Sequence, residues 1–171
     1  QIMDFFKDRV YNIYLERGYR YDIVESVMKS GFDNISDFVC RLEVVTRISG
    51  TPIWQNLVEV VERTFNIGKN CTIHGEVNEK LLKEEEERAL WAVYKKENEG
   101  LLQYVPQGKY EELSIAYNDA FAKPVHDFFD KVFVNVEDEK IKNNRLLLVK
   151  KVNEIYVENI ANLAFIVEHD R

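Results

Sequence analysis

The chain has 171 residues, 46% hydrophobic and 31% charged, a length and balance that allow one buried core or two small helical ones and exclude a disordered chain. Its formal net charge of -7 argues against nucleic-acid binding over the whole surface, so any such site must be local. No apolar run nears the ~20 residues of a membrane-spanning helix, and with no secretory signal a soluble, cytoplasmic chain with free thiols is expected.

With 3 prolines and 7 glycines as the only strong breakers, the pattern predicts an all-α bundle of about eight helices. The first covers residues 2–17, with Phe5, Phe6, Val10, Ile13 and Tyr14 at helical spacing and Gly18 as its stop. A short helix follows over 21–30, presenting Ile23, Val24, Val27 and Met28 and ended by Gly31. Asn34 or Ser36 caps the third, whose stripe is Phe38, Val39, Leu42, Val45 and Ile48. Thr51 and Pro52, as cap and first helical residue, open the fourth, with Trp54, Leu57, Val58, Val61 and Phe65 inward. At ~100° per residue Arg63 lies opposite that stripe and faces water.

Residues 68–75 are the most loop-like stretch and divide an N-terminal helical segment, 1–70, from a C-terminal bundle, 71–171. A long helix is predicted from 78 to about 105, its Glu84 to Glu87 run favourable against the helix dipole and read as a solvated face. Helical periodicity resumes over 109–121 and again from Pro124, with Val125, Phe128, Phe129 and Val132 inward. The alternating residues 132–136 are read as a helix end running into an acidic elbow, and a last helix covers 138–167.

Catalytic spacings are missing. Cys40 and Cys71 have no partners at zinc spacing, and Cys40 reads as a small buried side chain. His126-Asp127 and His169-Asp170, with His74, suggest a metal-dependent phosphohydrolase, but three histidines supply too few ligands and that reading ranks low. No nucleophile elbow or phosphate-cradling glycine loop occurs. The densest cationic stretch is Lys140, Lys142, Arg145, Lys150 and Lys151, with no acid between Lys140 and Lys151, which suits RNA phosphates. Arg145 nevertheless falls in the apolar stripe of Ile141, Leu148, Val149 and Val152. A salt bridge to Asp130, Glu137 or Asp138 therefore outweighs a direct RNA contact there. Among the aromatic residues Phe5, Phe38, Phe65, Phe128 and Phe129 recur at core spacing, while Tyr19, Tyr21 and Tyr104 are freer to stack on bases.

Several stretches look like one known family in order and spacing over nearly the whole chain. They are DRVYNIYLERGYRYDIVESVMKSG at 8–31, RTFNI at 63–67, LLKEEEERALWAVY at 81–94 and FFDKVFVNVEDEKIKNNRLLL at 128–148. The likeness resembles the C-terminal, DALR-type anticodon-binding region of bacterial glycyl-tRNA synthetase beta subunits. The sequence departs from that pattern at Lys142, where arginine is frequent, and at Asn162, where aspartate is. The resemblance implies a non-catalytic, tRNA(Gly)-binding part of an assembly of two alpha and two beta subunits. No cofactor is expected in the chain itself, ATP being used by the full enzyme at the alpha subunit. Glycine anticodons end in two cytosines, so cytosine edges in an unstacked loop would be read by Arg or Asn donors and carboxylate or carbonyl acceptors. The candidate tRNA-binding residues are Arg47, Arg63, Asn66, Lys69, Lys140, Asn144, Arg145 and Lys151. The rival reading is a helical protein-protein scaffold with no RNA contact.

Overall fold

Left-handed glycines end the first two helices: Gly18, at φ 88°, follows α1 (Ile2–Glu16), and Gly31, at φ 104°, follows α2 (Tyr21–Lys29). Asn34 caps α3 (Ile35–Ile48) by accepting from the Asp37 amide at 3.1 Å. In this computed structural model, which describes residues 2–167, the remaining helices are α4 (Trp54–Gly68), α5 (Glu85–Leu102), α6 (Tyr110–Lys131) and α7 (Glu139–Val157). Short 3-10 turns lie at Glu79–Leu81, Val105–Gln107 and Leu163–Phe165. The described residues are all-α, with seven α-helices where about eight were expected.

Each departure from the expected boundaries has a local cause. Pro124 starts no helix but sits inside α6, because Leu113, Tyr117, Phe121, Val125 and Phe128 keep one buried phase straight through it. The expected helix over 78–105 splits at Leu82, which is extended, and α5 begins only where the Glu87 carboxylate accepts from the amides of Lys83 and Glu84 at 2.8 and 2.7 Å. Pro52 stays in the turn ahead of α4, where the Trp54 amide donates to the Thr51 carbonyl at 3.2 Å. The last helix stops at Val157 rather than 167, and Asn162 caps the closing 3-10 turn through the Ala164 amide. Residues 132–138 are a bent elbow, not a helix end: Val132 and Val134 turn inward while Phe133 and Asn135 turn out, a period of two, and the Val136 amide donates back to the Val134 carbonyl at 3.1 Å.

α4 lies against both α6 and α7, α5 packs on α6 and α7, and α2 pairs with α3, so buried side chains from either side of the 69–78 loop join one core. Close approach of α4 to α7 depends on Gly68, where a Cβ would stand 3.2 Å from the Lys150 Cα. Asn153 of α7 reaches back to α4, donating to the Val61 carbonyl at 3.0 Å and the Thr64 hydroxyl at 2.9 Å. Fully buried Tyr117 and Tyr156 satisfy their hydroxyls with the Val152 carbonyl and Ser114, and burial pushes both pKa values far up. Buried Arg41 binds the carbonyls of Val27, Gly31 and Ile160, which ties α3 to α2 and to the returning C-terminal segment. At the start of α6 the Tyr110 hydroxyl donates to Asp37; burial, then that bond, pushes its pKa up to about 12.

Phe38 and Phe128 are buried as expected, but Phe5 is 61% and Phe6 54% exposed, because α1 flanks the bundle through its other side. Cys40 is exposed rather than buried, since it falls off the Phe38, Arg41 and Leu42 face of α3; Cys71 is the buried thiol. Among the described residues no helix is long and apolar enough to cross a membrane.

Candidate nucleic-acid interface

A groove of about 470 Å³ opens where the end of α4, the elbow and the first turns of α7 meet. α4 contributes Asn66 and Ile67, with Asn70 just beyond it; the elbow contributes Val134 and Asn135; α7 contributes Glu139, Lys142, Asn143 and Leu146. Gly68 lets α4 close on α7, and the Asp138 side chain starts α7 at the elbow by accepting from the amides of Lys140 and Ile141 at 2.9 and 3.2 Å. Four asparagines therefore converge from two stretches distant in sequence, the end of α4 and the elbow with the start of α7.

The lining has the chemistry that unpaired bases require. Each amide offers one acceptor and two donors, which match the edges a base exposes when out of a duplex. Ile67, Val134 and Leu146 supply apolar surface for base planes. Lys69, whose ammonium donates to Asn66 Oδ1 at 3.1 Å, and Lys142, 3.5 Å from Glu139, place cations at the rim. Glu139, 71% exposed, offers a carboxylate to an exocyclic amine such as cytosine N4.

Of the residues singled out in the sequence, Asn66 lines this groove, and Lys69 and Lys140 are exposed beside its walls. Arg47 lies elsewhere, on α3, in an exposed ion pair with Glu111 of α6 at 2.8 Å. Arg63 does not face open water: its guanidinium stacks over the Phe129 ring at 4.8 Å and lies 3.4 Å from Glu59, because α6 covers that side of α4. Lys151 is 17% exposed and paired with Glu76 at 3.4 Å.

Asn144 and Arg145 are buried, with their polar groups already engaged. Asn144 accepts from the Asn78 amide at 2.7 Å and donates to its carbonyl at 3.1 Å. Arg145 binds both carboxylate oxygens of Glu87, at 2.8 and 3.2 Å, and the Phe133 carbonyl at 2.6 Å. Its partner is thus none of Asp130, Glu137 and Asp138 but a member of the glutamate run expected to be solvated. Burial raises the Glu87 pKa, but Arg145 and the amides of Glu84 and Lys83 outweigh it and hold the carboxyl below its usual range.

The His-Asp reading does not assemble. His126 lies beside Glu59 and Arg63, Asp127 pairs with Lys123, His74 is exposed in the 69–78 loop, and His169 is outside the described residues. Among the described residues no group of three His, Cys, Asp or Glu side chains stands where it would hold a metal. What single-helix reasoning missed is Asn70, Asn135 and Asn143, while Lys142 stood in the cationic stretch but not among the candidate tRNA-binding residues. Phase alone places Lys142 and Asn143 off the buried stripe of α7, but nothing local places them opposite Asn66.

The chain is similar to glycine-tRNA ligase beta subunits from several bacteria. It is 33% identical to that of Desulforamulus reducens over 167 residues, covering 98% of this chain and 24% of the relative. Against Clostridioides difficile it is 34% identical, with 98% and 24% covered, and against Halothermothrix orenii 30% identical, with 94% and 24% covered. The chain therefore spans about a quarter of the length of these relatives. A sequence profile described as the DALR anticodon binding domain matches residues 58–163, a stretch that contains every residue lining the groove. Since that match takes in more than half of the 171 residues, the chain belongs to the DALR anticodon binding domain family.

Proposed function

We propose that the chain is the anticodon-binding region of a glycine-tRNA ligase beta subunit and that its groove reads the anticodon loop of tRNA(Gly). The observation that carries this reading is the convergence of Asn66, Asn70, Asn135 and Asn143 on one open groove inside the family match. The amides and Glu139 read base edges, with the cytosine amines of a glycine anticodon as the natural donors to their oxygens. Lys69, Lys140 and Lys142 meet phosphates, and Arg47, outside the groove, is an outlying backbone contact. The whole protein then attaches glycine to its tRNA with ATP, in an assembly of two alpha and two beta subunits in the cytoplasm. This chain, 1–70 and 71–171 acting as one region, grips the tRNA while the alpha subunit carries out adenylation.

The test is binding of an anticodon stem-loop RNA, followed by fluorescence anisotropy at several salt concentrations. Replacing either anticodon cytosine by uridine is expected to weaken binding roughly 5- to 150-fold, and affinity is expected to fall with salt. Binding that is unchanged after both cytosines are replaced overturns the reading.

A further inference from the structure

The elbow carries the most exposed large apolar side chain among the described residues: Phe133 is 83% exposed. A lone exposed apolar residue is ordinary on a protein surface. Phe133 differs in how firmly it is held. Arg145 donates to the Phe133 carbonyl at 2.6 Å, and that guanidinium, 6% exposed, is itself fixed by Glu87 at 2.8 Å. Val132, extended at the end of α6, is buried and Val134 lines the groove, and the inward turn of both leaves the intervening ring facing outward. The ring thus belongs to the residue next in the chain to groove-lining Val134, on a backbone that is already ordered.

Its surroundings favour a base over a phosphate or a protein surface. Glu137, Asp138 and Glu139 follow it in the chain and repel phosphate, whereas a neutral base face carries no charge to be repelled. Lys140 and Lys142 come next, where backbone phosphates are attracted. Lys131, Asn135 and Glu137 are exposed along the same stretch, so the ring's exposed neighbours in the chain are polar or charged rather than an apolar run.

We infer that Phe133 is a stacking platform for an unpaired base of an RNA loop whose neighbouring bases enter the groove. The inference rests on the RNA-binding reading above and adds a contact that reads no base edge. A ring held in place before binding loses little freedom on stacking, and every base has a face to offer it.

The experiment uses anticodon stem-loop RNAs with 2-aminopurine at each loop position in turn, titrated with the chain and with Phe133→Leu, Phe133→Ala and Phe133→Tyr. At one loop position the wild type is expected to change the 2-aminopurine emission. Phe133→Tyr should keep that signal, while Phe133→Leu and Phe133→Ala should lose it and weaken binding roughly 5- to 150-fold. Because the ring is exposed, all three variants should unfold at the wild-type urea midpoint. Wild-type affinity and emission in Phe133→Leu overturn the stacking role and leave the RNA reading standing. Loss of binding to a purified alpha subunit in Phe133→Leu, with RNA affinity unchanged, overturns it in favour of a protein contact. No binding of the RNA by the wild type overturns this inference together with the reading beneath it.

Discussion

Asn144 and Arg145 point into the protein, whereas Lys142, Asn143 and Leu146, interleaved with them on α7, line the open groove. The residue types are nearly the same on the two faces, and the local sequence is one uninterrupted helix. What separates them is whether the hydrogen-bonding groups are already used. The Asn144 amide is engaged at both ends by Asn78, and all three guanidinium nitrogens of Arg145 have partners inside the fold. Asn143 opens on the groove together with three other amides. A polar residue in a family motif can thus be part of the scaffold, while its neighbour is left facing the open groove.

The largest test of this contrast is stability. Arg145→Met leaves Glu87 buried without its ion partner and is expected to cost about 3–5 kcal/mol in urea unfolding. Asn143→Ala is expected to stay within about 0.5 kcal/mol of wild type. Equal losses at the two positions would erase the distinction between scaffold and groove.

RNA affinity should separate the faces the other way. Asn66→Ala and Asn143→Ala should each weaken the anticodon stem-loop by about 1–3 kcal/mol and reduce the preference for cytosine, read by anisotropy. Full affinity in both single variants and in their combination would leave the groove without a reading role.

A smaller effect follows from Glu87. Its folded-state pKa is below the ordinary 4.5, so its contribution is complete above that value and is lost as the pH falls through the lower folded-state value. Urea midpoints measured from about pH 6 to about pH 3 should therefore fall more steeply for the wild type than for Glu87→Gln. Parallel curves would show that this carboxyl is not the group being protonated.

The smallest change is expected at Lys142. Replacing it by Ala should reduce the salt slope of RNA binding by about 0.7 and leave base preference intact, because a phosphate contact carries no sequence information. A change in base preference would move Lys142 from the backbone to the base edges.

Much of the fold was legible because its signals are local. Gly18 and Gly31 end α1 and α2, Asn34 caps α3, and the stripes of α2, α3 and α4 are buried as periodicity predicts, apart from half-buried Val39 and Phe65. Errors arose where a local signal had a competitor. Pro124 reads as a start only until the uninterrupted Tyr117, Phe121, Val125 and Phe128 stripe is given greater weight. Phe5 reads as core by spacing, but no element covers that face of α1 among the described residues. In the elbow, the Val-Phe-Val-Asn-Val alternation was the better signal than the preceding helix, and it is what turns Phe133 outward.

By itself the sequence determined the helical class, the family and the phase that buries Arg145, since caps, breakers and periodicity act over a few residues and a motif needs only order and spacing. Only the tertiary structure decided that Arg145 pairs with Glu87, 58 residues away, and that Asn66 and Asn143 share one groove. Such pairings are set by how helices pack against one another, and helical phase shows which way a side chain points without showing what it meets there.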